Sequence, residues 1–370
     1  MPLKTTPPCR ATPNIPALTG LRGVGALWVF LHHFNLFLCG TGNGVHALAV
    51  GFAGVDLFFL LSGFVLCHSR WHDFRQPGLR AYARFMAERV TRLYPTNAAV
   101  LLMFAVAAAS FPGVWWHRPA ADSSALSFVT SLLLVQSWLP FPGGGWNGPG
   151  WSVSAEMGAY AALPLLLLGL RCISSGRLAF LLAGAVLLAF IAILTLAGVH
   201  DLNVSVRGGL LRLACEFTAG GLLCTAWRGG VRLPVGSATA AVAICLAVAL
   251  GVHRAECTFL MLPAFALTLL LAAQNEGFLV RALTSPPMLF LGRISYSLYL
   301  VHWPVLMFWS YATGLPHSTL GFLADATMVP TTVALATVLH LLVEAPSHRW
   351  ARALGQKTPS FLVFKKAALS

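Results

Sequence analysis

The residues that could do chemistry begin with Arg22 and His33, in the run IPALTGLRGVGALWVFLHHF at residues 15–34. On an α-helix their separation is about three turns, so both side chains leave one face, roughly 16 Å apart along the axis. An imidazole can take a proton from a hydroxyl, and a guanidinium can hold an anion. Asp56, Glu156 and His302 interrupt equally apolar runs further along. Ionisable groups inside such runs are costly unless they face a protein interior or a wet cavity, which makes each a functional candidate. Measured along their runs, His33, Asp56, Glu156 and His302 fall at one depth, on the order of 10 Å below the same end of the bundle. They are expected to face one another, with Glu156 fixing the tautomer and basicity of His33. The alternative is a set of interhelical hydrogen bonds that only hold the bundle together. His32 points about 100° away from His33 and is expected to pack or hydrogen-bond locally.

A second basic cluster lies between His68 and Tyr94, where six arginines, among them Arg75, Arg84, Arg89 and Arg92, face only Asp73 and Glu88. Arg89 and Arg92, spaced three apart in ERVTRLYP, are expected on one face of a short helix. Paired guanidiniums suit phosphates, so the cluster reads either as a cradle for an anionic substrate or as a topogenic, lipid-facing patch. Gly51, Gly54, Ser62 and Gly63 are small enough to let helices approach closely. Trp146 and Trp151 flank the Gly/Pro-rich entry to a later span, either as interfacial anchors or as an aromatic platform for a sugar ring. Ser154 and Tyr296 join the candidates as supporting polar groups close to Glu156 and His302.

The elements that must position these residues are membrane helices. Of 370 residues, 57% are hydrophobic and only 9% charged, with a mean hydropathy of +0.76. Soluble domains carry about 25% charged residues. The expected fold is an all-α polytopic membrane protein, with spans near 21–39, 48–67, 95–111, 150–169, 178–199, 209–226, 233–252, 258–275, 288–311 and 326–344. Leu126–Trp138 is too short to cross and is expected to be re-entrant or interfacial. With that topology twenty of the 24 Lys and Arg residues fall on the inner side, and both termini are expected in the cytoplasm. The net charge of +13 then follows from the positive-inside rule, and nucleic-acid binding is excluded. The eight cysteines are scattered, without a CxxC pair, and no metal site is expected.

Six blocks in order carry a family resemblance: IPALTGLRGVGALWVFLHHF, GVDLFFLLSGFVL, RFMAERVTRLYP, WSVSAEMGAY, FLGRISYSLYLVHWPV and VEAPSHRW. Together they resemble the acyltransferase 3 family of integral-membrane acyltransferases. The family's Arg, ten residues, then His falls on Arg22 and His33, and its arginine pair on Arg89 and Arg92. Its Trp-Ser-x-Ser-x-Glu falls on Trp151, Ser152, Ser154 and Glu156, and its Glu-x-Pro on Glu344 and Pro346. The resemblance implies about ten helices in one domain over residues 15–350, between a cytoplasmic leader (1–14) and a basic tail (351–370). Some members carry an added periplasmic hydrolase-like domain, and none is expected within these 370 residues.

The resemblance also implies transfer of an acyl group, acetyl being the expected one, from cytoplasmic acyl-CoA to a hydroxyl of a carbohydrate or other acceptor. On this reading Arg89 and Arg92, with Arg75 and Arg84, bind the donor phosphates. Arg22 orients the donor, and His33 acts as general base or as transient acyl carrier, with Glu156 behind it. Asp56, Ser62, Trp151, Ser154, Tyr296 and His302 support them. Acyl-CoA is a substrate, and no cofactor is expected. The expected location is the bacterial inner membrane. Two rivals remain at this point: a proton-coupled transporter or flippase of an envelope precursor, and a non-catalytic membrane subunit.

Overall fold

The computed structural model describes residues 14–39, 45–74, 78–111, 113, 124–138, 145–204, 208–251, 255–313 and 321–356. In chain order the α-helices are α1 (Pro16–Cys39), α2 (His46–Ala49), α3 (Gly54–Arg70), α4 (Leu79–Ser110), α5 (Ala125–Leu132), α6 (Gly150–Arg171) and α7 (Gly176–Leu196). They continue with α8 (Gly209–Arg228), α9 (Val235–Gly251), α10 (Met261–Gln274), α11 (Gly277–Leu283), α12 (Pro286–Thr313), α13 (Gly321–Leu339) and α14 (Ala345–Gln356). One turn of π-helix, His340–Glu344, joins α13 to α14. The protein is all-α, and a helix occupies each segment expected to span. Among the described residues seven helices are long and apolar enough to cross a membrane. The eight-residue α5 is not, in keeping with the short run that it occupies. Its end is closed by Ser124, whose hydroxyl accepts from Ser127 N at 3.1 Å.

The outer faces of these helices are greasy: Leu165, Leu181, Leu188 and Leu196 are each at least 67% exposed. Such a belt suits hydrocarbon and not water. The polar groups lie inside, which is the order a bilayer imposes.

Two close crossings set the frame. On α1 and α12 the backbones meet at Gly23 and Gly292, where a Cβ on Gly23 would stand 2.6 Å from Gly292 N. On α3 and α8 a Cβ at Gly63 would collide with the Phe217 carbonyl, and one at Gly220 with that of Leu60. Glycine at a crossing removes the side chain that would hold two axes apart.

The structure departs from the expected layout at α4. Residues 79–94, expected as connecting loop with a short terminal helix, form the first half of one 32-residue helix that runs through Pro95. The connection is thereby reduced to residues 71–78. Proline is tolerated inside membrane helices because neighbouring groups satisfy the backbone around it. Tyr296 Oη donates to the Leu93 carbonyl at 2.7 Å, two residues before this proline, and ties α12 to α4 there. Residues 1–13 and 357–370, which hold most of the expected leader and tail, lie outside the described residues, as does Arg75.

Candidate active site

α1 and α12 run parallel, and beyond their glycine crossing they bring His33 and His302 together. Nε2 of His302 lies 3.2 Å from Nδ1 of His33, with ring centroids 5.1 Å apart. Nδ1 of His302 also meets the Leu298 carbonyl at 3.1 Å, and Nδ1 of His33 meets that of Val29 at 3.0 Å. A carbonyl oxygen only accepts, so both Nδ1 atoms carry protons. Nε2 of His302 is then a lone pair that accepts from His33 Nδ1–H. The proton of His33 is held on Nδ1 by two acceptors, and its Nε2 is left as the basic atom. Trp303 packs edge-on against His33 at 5.2 Å, and His32 at 5.0 Å. His32 itself donates from Nδ1 to the Leu48 carbonyl at 3.1 Å, the local bond expected for it.

A proline helps to build this corner. Pro304 has no N–H to give to Leu300, four residues back, so that carbonyl would be orphaned. Asn147 Nδ2 fills the gap at 2.8 Å and ties the chain entering α6 to α12 beside the histidines.

The expected pairing of His33 with Glu156 is not formed. Glu156 accepts a hydrogen bond from Ser62 Oγ instead, and Tyr160 lies beside it. The carboxylates do not share the depth of the imidazoles: α3 passes His32 at Gly51 and Gly25 at Phe58, so Asp56 lies part-way down, and Ser62 with its partner Glu156 lies a further turn or more along, near Arg22. Glu156 faces α3, while His33 faces α12.

Glu156 and Ser62 line a narrow cavity of about 100 Å³, with Arg22, Arg92, Tyr160, Tyr296 and Tyr299. A wider chamber of about 820 Å³ adjoins it and shares Arg22, Arg92, Ser295 and Tyr296 with it. Arg22 is therefore the gatepost between the two. Arg70, Arg89, Arg293 and Arg349 also face the wide chamber, against Glu88 and Glu344 as its carboxylates among the described residues. Arg70 ties to Glu88, and Glu344 accepts from Ser297 Oγ at 2.6 Å and pairs with His340 at 3.0 Å. Arg22 and Arg92 make no hydrogen bond or ion pair among the described residues, and both guanidiniums face the junction, with Glu156 and Glu344 in the surrounding walls. Arg89 is braced by the rings of Phe85 and Tyr160, at 5.5 and 5.9 Å. Arg84 is exposed and lines neither chamber. The π-turn carries His340 and Glu344 into the chamber wall, the kind of helix irregularity that often marks a site.

His33 lines neither cavity. Tyr299 is the last α12 residue to face the narrow one. Its ring meets Phe58 edge-on at 5.7 Å, and its hydroxyl is pinned by Ser152 Oγ at 2.7 Å and the Pro149 carbonyl at 3.1 Å. His302 stands 5.8 Å beyond. Phe58 and Tyr299 thus form a partition between the narrow cavity and the histidine pair.

Asp56 is placed elsewhere. Arg212 Nε donates to its Oδ1 at 2.8 Å and Nη2 to its Oδ2, so the carboxylate is consumed by a buried fork. The same guanidinium donates to the Val204 carbonyl at 3.0 Å and the Phe52 carbonyl at 3.3 Å. Glu216 lies 3.8 Å from Nε. Arg212 is 2% exposed and both acids are 0% exposed. The Trp151 ring covers the guanidinium at 5.8 Å, so Trp151 is an internal packing residue and not a platform for a sugar. Trp146 is also occupied, its indole donating to the Ser124 carbonyl at 3.0 Å and packing on Phe128. Ser154 accepts from Ser137 N at 3.1 Å and anchors the turn after α5 to α6. Among the described residues no three His, Cys, Asp or Glu side chains gather as metal ligands.

Sequence reasoning missed Arg212 and Glu216, although their four-residue spacing inside an apolar run was a readable ion-pair signal. The expected span boundary at residue 209 lies so close to Arg212 that the residue reads as one of the four outer charges. Tyr299 was also missed, one turn before His302 on the same face.

A sequence-family profile described as an acyltransferase domain, that of acyltransferase 3, matches residues 15–343. Acyltransferase MdmB of Streptomyces mycarofaciens is 31% identical over 389 residues, spanning 94% of this chain and 94% of its own length. "Putative membrane-bound transacylase BcsY" of Komagataeibacter xylinus is 27% identical, over 88% of this chain and 80% of its own. "Putative peptidoglycan O-acetyltransferase YrhL" of Bacillus subtilis is 26% identical over 79% of this chain, which corresponds to 49% of its own length. No solved structure matches. With nearly its whole length accounted for, and with helices that suit a bilayer, the chain belongs to the acyltransferase 3 family and is a multi-pass membrane acyltransferase.

Proposed function

We propose that the protein moves an acyl group, acetyl being the expected one, from acyl-CoA to a hydroxyl of a carbohydrate or other cell-envelope or secreted acceptor. The observation that carries this reading is the continuity of the two cavities through Arg22 and Arg92. A wide basic chamber fits the phosphates of a nucleotide thioester, and a narrow passage beyond it fits the thin acyl-bearing arm. In this scheme Arg89 and Arg92 hold the phosphates and Arg22 orients the arm. His33 Nε2 takes the proton of the acceptor hydroxyl, and His302 Nε2 with the Val29 carbonyl steadies the resulting imidazolium. The chemistry draws on no metal or prosthetic group. A relative whose name assigns O-acetylation of peptidoglycan supports a hydroxyl acceptor.

The basic chamber opens to the cytoplasm in this proposal, with both termini on that side and the protein in the bacterial inner membrane. The strong asymmetry of arginine along the chain supports that orientation. The transmembrane acyltransferase unit comprises residues 15–350, with 1–14 as leader and 351–370 as basic tail. The test supplies labelled acetyl-CoA and a panel of hydroxyl acceptors to membranes containing the protein. Label should enter an acceptor, and His33→Ala should lose it at unchanged protein level. Near-normal transfer by His33→Ala removes the proposed base. An unaltered CoA affinity after charge reversal at Arg89 and Arg92 removes the cradle.

A further inference from the structure

The donor passage and the histidine pair are separate compartments. An acyl thioester threaded past Arg22 enters a cavity that contains no histidine and ends under Phe58 and Tyr299. The group it meets there is Ser62, whose hydroxyl already donates to the Glu156 carboxylate. The Tyr160 phenol shares the Glu156 carboxylate with Ser62, and the remaining hydroxyls facing this space are committed to backbone or to one another. Ser295 donates to the Gly292 carbonyl at 3.0 Å, Tyr296 to that of Leu93 at 2.7 Å, and Ser152 bonds Tyr299. Arg22 faces the same cavity with no partner among the described residues. A hydroxyl on a carboxylate base, with a free cation beside it, is the constellation of nucleophilic catalysis.

We propose that Ser62 is an acyl carrier and that transfer proceeds through an ester on its hydroxyl. This rests on acyl-CoA being the donor. In the first step Glu156 takes the proton of Ser62, and Oγ attacks the thioester carbonyl. The C–S bond breaks, the sulfur takes the proton from Glu156, and free CoA leaves through the basic chamber. Arg22 faces the negative charge that builds on the carbonyl oxygen. In the second step the partition of Phe58 and Tyr299 swings aside. An acceptor hydroxyl deprotonated by His33 attacks the carbonyl of the Ser62 ester, the bond from that carbonyl to Ser62 Oγ breaks, and the proton held by His33 returns to the Ser62 oxygen, which leaves His33 neutral and Glu156 ionised as at the start. Storing the acyl group on the protein lets the passage close behind CoA before it opens toward the acceptor.

The experiment incubates the purified full-length protein in nanodiscs with radiolabelled acetyl-CoA and no acceptor. The expected result is a burst of free CoA equal to the enzyme present, with one acetyl group found on Ser62 by peptide mass spectrometry. Adding the acceptor should discharge that label, and initial rates should follow a ping-pong pattern. Ser62→Ala should show neither burst nor label, and should lose more than about a hundredfold in transfer. Ser62→Cys should regain a burst, now with a hydroxylamine-sensitive thioester. Glu156→Gln should slow the burst about 10²–10⁴-fold with little change in donor KM. The idea is overturned if wild-type protein acetylates its acceptor while Ser62 stays unmodified and no burst precedes transfer. It is equally overturned if folded Ser62→Ala transfers at the wild-type rate. If wild-type protein neither releases CoA nor labels any acceptor, the acyl-CoA reading itself falls and takes the carrier with it.

Discussion

Replacing His302 by leucine isolates the one side chain that accepts from His33. In the native pair His33 Nδ1–H has two acceptors, the Val29 carbonyl at 3.0 Å and His302 Nε2 at 3.2 Å. Leucine removes the second and keeps the first, so the tautomer survives and Nε2 stays basic. What is lost is a hydrogen bond to the imidazolium that forms as the acceptor hydroxyl gives up its proton. Hydrogen bonds to charged groups contribute about 1.5–3 kcal/mol. On that basis transfer should slow by about 10- to 150-fold. His33→Ala removes the base itself and should cost about 10²–10⁴-fold. His302 lines neither cavity, so the loss should fall on kcat and leave the KM for acyl-CoA unchanged. His302→Gln, whose amide oxygen can accept the same proton, should recover part of the rate. The assay is initial-rate acetyl transfer in nanodiscs with donor and acceptor varied separately. A His302→Leu rate within about twofold of wild type, or a rise in donor KM at constant kcat, refutes the reasoning.

Three further outcomes follow from the geometry. Asp56→Asn should destabilise the protein by about 3–5 kcal/mol, because it weakens a buried fork around Arg212. Glu216→Gln should cost less, since Glu216 stands 3.8 Å from the guanidinium, and a thermal melt in detergent that ranks the two the other way rejects this account. Asn147→Leu should orphan the Leu300 carbonyl beside Pro304 and lower stability by about 1–3 kcal/mol, read in the same melt against wild type. Arg89→Glu with Arg92→Glu should weaken CoA binding by about tenfold or more by calorimetry, with native binding falling as salt rises.

Much of the bundle is legible in the residues, because a membrane helix must be apolar over its length and the runs announce themselves. Depth within a run is legible too: His33 and His302 share a level and do meet. What a linear pattern does not carry is azimuth, the direction in which each helix turns its polar residue. Nor does it carry the offset between helices: Glu156 sits near the level of Arg22 and faces Ser62, and Asp56 is claimed by Arg212 from a helix more than a hundred residues away. The neighbours are chosen by crossings such as Gly63 with Phe217, whose partners lie too far apart in sequence to be matched by spacing. The α4 boundary was misjudged for a local reason. Arginine-rich residues 79–94 read as loop beside Pro95, whereas the helix continues straight through the proline.

The contact of Gly23 with Gly292 works as a ruler. Both helices leave it in the same direction, and each imidazole sits ten residues past its glycine. The two arms measure about 15 Å and contain equal numbers of turns, so the rings arrive level without help from the distant loops. One residue inserted into either arm would rotate its ring by about 100° and raise it by about 1.5 Å. The arms must keep equal length even where their side chains are free to vary.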